Sequence, residues 1–156
     1  MVEVGDLAPN FSYIDRDGSE KQFHDLPGQK LVYFFPKAFT AGCTAQSCSL
    51  QDEYSTLKDY GIKEIFGIST DKKETLDKFA GKYGLDFILV SDHSGKISKS
   101  WGVLKKYLII KVSDRDTFIV DEENKISQII ENGMRGNKSK LGLKHHGEEV
   151  LNYLKM

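Results

Sequence analysis

The chain's two cysteines, Cys43 and Cys48, stand five residues apart, and its 156 residues contain no third. An apolar run, Leu31-Val32-Tyr33-Phe34-Phe35, leads into Pro36-Lys37-Ala38-Phe39-Thr40-Ala41-Gly42 and then Cys43. The run reads as a buried strand ended by Pro36, which has no N–H to give a ladder. Cys43 then falls at the start of the following helix. There the unpaired backbone N–H groups and the positive end of the helix dipole favour a thiolate. The same groups can receive an anion, or the charge that builds on a reacting oxygen. The chemistry this points to is nucleophilic attack by sulfur. The plainer reading of Cys43 is a small buried hydrophobe at a helix start.

Cys48 is expected inside the same helix. At 1.5 Å per residue the two cysteines lie roughly 7.5 Å apart along the axis and face different ways. A disulfide wants Cα atoms about 4.4–6.8 Å apart. The pair cannot bridge while the helix is intact, and bridging requires its first turns to unwind. Thr44 and Ser47 are weak helix formers and lower that cost. A core position on the helix is the plainer reading of Cys48. Thr40 reads as a loop residue or N-cap, and Arg115 as an arginine at a strand start.

The elements that must hold these residues are legible from periodicity. Phe11 to Phe23 reads as a hairpin turning at Asp15-Arg16-Asp17-Gly18. Thr44 to Tyr60 reads as one amphipathic helix, with Leu50, Tyr54, Leu57 and Tyr60 on a face and Gly61 as its stop. Ile62–Ser69 and Phe87–Val90 are strands, Thr75–Tyr83 a helix ended by Gly84, and Lys96–Trp101 a short helix. Thr117–Val120 and Lys125–Ile130 make a second hairpin around Glu122-Glu123-Asn124, and Gly147–Met156 closes as a helix. Strands alternating with helices predict an α/β domain with a largely parallel sheet, one domain over residues 1–156.

Composition sets limits. With 22 basic against 23 acidic residues, the balance gives no reason to expect nucleic acid or an anionic membrane as partner. Two cysteines exclude a disulfide-dense secreted scaffold. The longest apolar runs are strand-sized, far short of the roughly 18 residues of a membrane span. The N-terminus shows no basic region followed by an apolar stretch, so a soluble protein of a reducing compartment, the cytoplasm, is expected. Adjacent His145 and His146 cannot face one ligand site on a regular element, and the cysteine spacing is not that of a zinc finger. No metal is expected.

Pro36-x-x-x-Thr40-x-x-Cys43 resembles the active-site motif of peroxiredoxins. The Cys43-x-x-x-x-Cys48 spacing is similar to that of the peroxiredoxin Q, or bacterioferritin comigratory protein, subfamily. Arg115-Asp116-Thr117-Phe118-Ile119-Val120-Asp121 resembles a strand motif of the same family, and Gly5-Asp6-Leu7-Ala8-Pro9-Asn10-Phe11 and His146-Gly147-Glu148-Glu149-Val150-Leu151 fit as well. The resemblance thus covers nearly the whole chain. Gln46 departs from it, since the subfamily usually has Glu there, and Leu108 to Asp114 matches poorly.

The resemblance implies a thioredoxin-like α/β fold, a central mixed β-sheet flanked by helices with an N-terminal β-hairpin. It implies that the Cys43 thiolate attacks hydrogen peroxide or an alkyl hydroperoxide and becomes a sulfenic acid. Thr40 and Arg115 would hold the thiolate and both peroxide oxygens, Pro36 would shield the sulfur, and Cys48 would close a transient disulfide. Thioredoxin or a similar dithiol protein would restore both thiols, with no metal, haem or flavin. The subfamily leans toward a monomer with an intramolecular disulfide, a dimer being the alternative. Two other functions compete. A thioredoxin-type exchanger needs Cys-x-x-Cys and a later proline, and no proline follows Pro36. A binding module with incidental cysteines would show ordinary thiol reactivity.

Overall fold

The computed structural model describes residues 1–107, 110–133 and 140–156. Its centre is β3 (Gln29–Phe34), whose residues from Leu31 onward are fully buried. Burial on both faces explains the unbroken apolar run. Leu31, Tyr33 and Phe35 enter one core with Leu50, Leu57, Phe79 and Val150, whereas Val32 and Phe34 enter another with Phe23, Trp101 and Phe118. Trp101 is therefore core.

The five-stranded sheet runs β5 (Ile88–Ser91), β4 (Ile62–Ser69), β3, β8 (Thr117–Val120), β9 (Ile126–Ile130). Strands β4 and β5 extend it in parallel from one side of β3. On the other side, β8 and β9 are antiparallel. The sheet is thus mixed, as the family resemblance implies, and not largely parallel as strand–helix alternation predicts. The reason is local, because a short hairpin can only join antiparallel neighbours. The first hairpin, β1 (Ser12–Ile14) and β2 (Glu20–Gln22), is present, followed by a 3-10 turn at Phe23–Asp25.

The predicted helix from Thr44 to Tyr60 begins earlier, at Ala41, and is broken at Glu53 into α1 (Ala41–Asp52) and α2 (Tyr54–Asp59). The break lies where α5 (His146–Leu154) packs on it: a Cβ at Gly147 would come within 2.5 Å of the Ser49 carbonyl oxygen and 2.8 Å of Glu53 Cγ. Helix α3 (Lys73–Tyr83) ends at Gly84 in the left-handed conformation, as read. A short α4 (Lys96–Ser100) precedes a hairpin that the sequence reading passed over, β6 (Leu104–Tyr107) with β7 (Ile110–Ser113). Leu108 and Ile109, within the stretch that departs from the family pattern, lie outside the described residues. Among the described residues no helix is long and apolar enough to cross a membrane.

One charged residue sits in the framework itself. Lys30 is fully buried, and its Nζ donates to Phe23 O at 2.9 Å, Leu26 O at 2.9 Å and Asn124 Oδ1 at 2.6 Å. It ties β3 to the first hairpin's exit and to the β8–β9 turn. Burial pulls its ammonium down to about 8.

Candidate active site

The end of β3 delivers the loop that leads to Cys43. Phe35 still hydrogen-bonds the sheet through Ile68 O, and the half-buried Pro36 then bends the chain away. Ala38 N–H donates to Asp71 Oδ2 at 2.7 Å, and the same oxygen accepts from Ser69 Oγ at 2.7 Å. Phe39 holds φ 67°, costly for a residue with a Cβ, while its ring packs edge-on against Phe79 at 5.2 Å. The loop is thus pinned from the end of β4 and from α3, which fixes where α1 begins.

Thr40 is the N-cap residue of α1, with extended backbone, and its carbonyl accepts Thr44 N–H at 2.9 Å. Its hydroxyl donates to Lys37 O at 2.8 Å. The proton that the family resemblance assigns to the sulfur and peroxide therefore goes to the loop backbone here, leaving the oxygen's lone pairs as acceptors.

Cys43 is the third residue of α1 and has no exposed surface. Arg115 Nη1 donates to its sulfur at 3.0 Å. This contact spans 72 residues of sequence and places a permanent positive charge against the Cys43 sulfur. Gly42 makes room for it: a Cβ there would stand 3.0 Å from Arg115 Nη2 and 3.1 Å from Leu143 Cδ1. Leu143 belongs to a 3-10 turn, Leu143–His145, that lies over the helix start.

The Arg115 main chain is held on both sides. Arg115 N–H donates to Asp114 Oδ1 at 2.9 Å, and its carbonyl accepts from Nδ2 of the fully buried Asn132 at 2.9 Å. Asn132 gave no signal in the sequence, being one polar residue beyond β9 with no motif around it. Gln46, one turn after Cys43, is fully buried, and its Oε1 accepts from the same Arg115 Nη1 at 3.4 Å. Its Nε2 has no hydrogen-bond partner among the described residues. The amide cannot gain by flipping, because guanidinium only donates.

Cys48 is half-buried on the same helix, and both thiols are free. Burial and, secondarily, the Asp52 carboxylate raise the Cys48 thiol. The unbroken turn from Cys43 to Cys48 keeps the two apart. Tyr33 and Ser47 share a 2.8 Å hydrogen bond beneath that turn. His146 is fully buried and bonds Thr117 Oγ1 at 2.8 Å, while His145 faces solvent. The two histidines thus diverge, and no group of three or more metal-ligating side chains is found among the described residues.

The arrangement is a buried thiol at a helix N-terminus, covered by a buried guanidinium, with a second thiol about one and a half turns on. The model of the AhpC/TSA family matches residues 4–129. The chain is 40% identical to "Peroxiredoxin Bcp" of Escherichia coli strain K12 over 159 aligned positions, covering 99% of this chain and 96% of the relative. Among solved structures it is similar to the peroxidoxin BcpB of Mycobacterium tuberculosis, with TM-score 0.85, 26% identity, and 99% and 97% of the two chains covered. It is also similar to the bacterioferritin comigratory protein of Xanthomonas campestris, with TM-score 0.78, 25% identity, and 93% and 90% covered; that protein's structures concern its alkyl peroxide reduction activity. The chain belongs to the AhpC/TSA family and, within it, to the peroxiredoxins of the Bcp and Q kind.

Proposed function

We propose that the chain is a thiol peroxidase in which Cys43 is the attacking residue, Arg115 the residue that holds the charge, and Cys48 the partner that regenerates the site. The Cys43 sulfur attacks the near oxygen of hydrogen peroxide or an alkyl hydroperoxide. An S–O bond forms, the O–O bond breaks, and the departing oxygen takes a proton to leave as water or an alcohol. Arg115 Nη1, 3.0 Å from the sulfur, supports this reading most directly, since charge moves from sulfur to the leaving oxygen within its reach. The free N–H groups at the start of α1 add donors to the same place. Pro36 shapes the rim, and the Thr40 oxygen can accept from a hydroperoxide O–H once its loop adjusts.

Cys48 then attacks the sulfenic sulfur of Cys43, an S–S bond forms, and the oxygen leaves as water. For this step α1 must open over its first turns. A dithiol protein of the thioredoxin type reduces the disulfide by exchange and leaves with its own. Pairing within one chain makes a monomer sufficient, and the cycle suits a reducing compartment such as the cytoplasm.

Stopped-flow reaction of the reduced protein with hydrogen peroxide, followed by Trp101 fluorescence and thiol loss, tests the reading. Rapid consumption of one equivalent is expected. A rate no greater than that of free cysteine defeats it, and so does unchanged consumption by Cys43→Ser.

A further inference from the structure

From His93 to Ser113 the chain carries five lysines and neither Asp nor Glu, although its overall charge is only −1. The fold gathers four of these lysines. Lys96 and Lys99 on α4 face Lys106 on β6 and Lys111 on β7 across a cleft of about 590 Å³, with Ser94 and Leu104 also on its walls. The close approach depends on Gly95: a Cβ there would stand 3.2 Å from Leu104 Cδ1 and 3.7 Å from Lys111 Cδ. Lys111 is fastened at its backbone, where its carbonyl accepts from Thr70 Oγ1 at 2.9 Å.

None of the four makes an ion pair among the described residues, and the neighbouring carboxylates are engaged elsewhere. Asp92 is buried and accepts from Ile97 and Ser98 N–H, while Asp114 accepts from Arg115 N–H and stands 4.0 Å from Lys105 Nζ. Four like charges around one concavity repel, and an anion within it would relieve the repulsion. Leu104 is its one large apolar side chain, which disfavours an apolar ligand, and a lining without carboxylates disfavours a cation. The volume matches a small ligand and not a flat macromolecular face.

We propose that this cleft binds a small, multiply charged phosphate, of the di- or triphosphate class. Neither the peroxide chemistry nor the cysteine pair uses it. Isothermal titration of the full chain with inorganic tripolyphosphate tests the proposal, with ATP in a parallel arm to distinguish a bare phosphate chain from a nucleotide. Binding with Kd below about 1 mM at low salt is expected, weakening at least tenfold as ionic strength is raised to about 1 M. The Lys99→Glu, Lys106→Glu double variant should lose at least about tenfold in affinity while keeping its circular dichroism and peroxidase rate. A Lys72→Glu, Lys78→Glu double variant, with the same charge change at the N-cap and on the body of α3, should bind as the parent does. No binding of tripolyphosphate by the folded parent overturns the proposal. Equal loss in both double variants also overturns it, because net charge alone would then account for the binding. Tighter binding of a single-stranded oligonucleotide than of either phosphate overturns it in favour of a nucleic-acid surface.

Discussion

Arg115 Nη1 lies 3.0 Å from Cys43 Sγ, across 72 residues of sequence, and both groups are buried. The same nitrogen reaches Gln46 Oε1 at 3.4 Å, so its two protons serve the Cys43 sulfur and a neutral amide together. The guanidinium thus stands against the Cys43 sulfur and a neutral amide at the same time.

Arg115→Ala should therefore slow peroxide reduction by about 10²-fold, the usual cost of losing a charge-stabilising donor at a reacting centre. Stopped-flow rates at saturating hydrogen peroxide measure it, and circular dichroism should show the fold retained. Arg115→Lys should recover only part of the loss, since a compact ammonium keeps the charge but lacks the fixed planar geometry of the guanidinium. A rate within twofold of the parent for Arg115→Ala would remove the guanidinium from the reaction.

Gln46→Leu separates stability from activity. The change removes a weak acceptor of Arg115 and also a buried Nε2 that has no partner among the described residues. Leaving such a donor unsatisfied costs about 1–3 kcal/mol, more than a long hydrogen bond returns. Denaturant unfolding should show the variant as stable as the parent or up to about 2 kcal/mol more so. The guanidinium then has one restraint fewer, and peroxide reduction should slow by about tenfold. Lower stability combined with an unchanged rate would make Gln46 a packing residue only.

Ala45→Gly weakens α1 between the two cysteines without touching either. Glycine costs a helix interior about 1 kcal/mol relative to alanine, which raises the opened population roughly fivefold. In a two-phase reaction with peroxide, the first phase should be unchanged and the disulfide-forming phase up to about fivefold faster. Cys48→Ser should keep the first phase and lose the second. If Ala45→Gly leaves the second phase unaltered, opening of the helix does not limit disulfide formation.

How much of this was legible follows from where the causes lie. Cys43, Cys48, Pro36 and Thr40 form one stretch of chain, so spacing alone shows a thiol at a helix start. Arg115 is far off in sequence and was reached only through the family resemblance of its strand. The hairpin β6–β7 went unread because the adjacent Lys105 and Lys106 break the apolar alternation of β6, and the four residues of β7 are too few for their own alternation to stand out. The break at Glu53 was invisible for another reason. Its neighbours are acceptable helix formers, and the break coincides with a tertiary contact from Gly147, nearly a hundred residues later. Asn132, which holds the Arg115 carbonyl, and Lys30, which stitches three segments together, are single polar residues whose partners are backbone oxygens and a loop amide. No spacing rule announces such contacts.

Lys30 gives the molecule a pH dependence with a definite sign. Its ammonium sits at about 8 in the folded chain because burial disfavours the charge, against an ordinary lysine value of 10.5. Between those values the unfolded chain binds more protons at this position than the folded one, so this group makes stability rise as pH is raised from about 8 toward 10.5. Buried Tyr33 and Tyr54 titrate the other way, burial raising both, and their phenols take back stability at the alkaline end. The contribution of Lys30 is thus read as a difference. Lys30→Met removes the titrating group and fills a similar volume, but leaves Phe23 O, Leu26 O and Asn124 Oδ1 without their donor. The variant should be less stable than the parent by about 2–4 kcal/mol at pH 7. Urea midpoints taken from pH 7 to pH 10 should show the gap between parent and variant widening with pH. A gap that stays constant would mean that the three acceptors hold the proton on Lys30 throughout and that burial does not govern its titration.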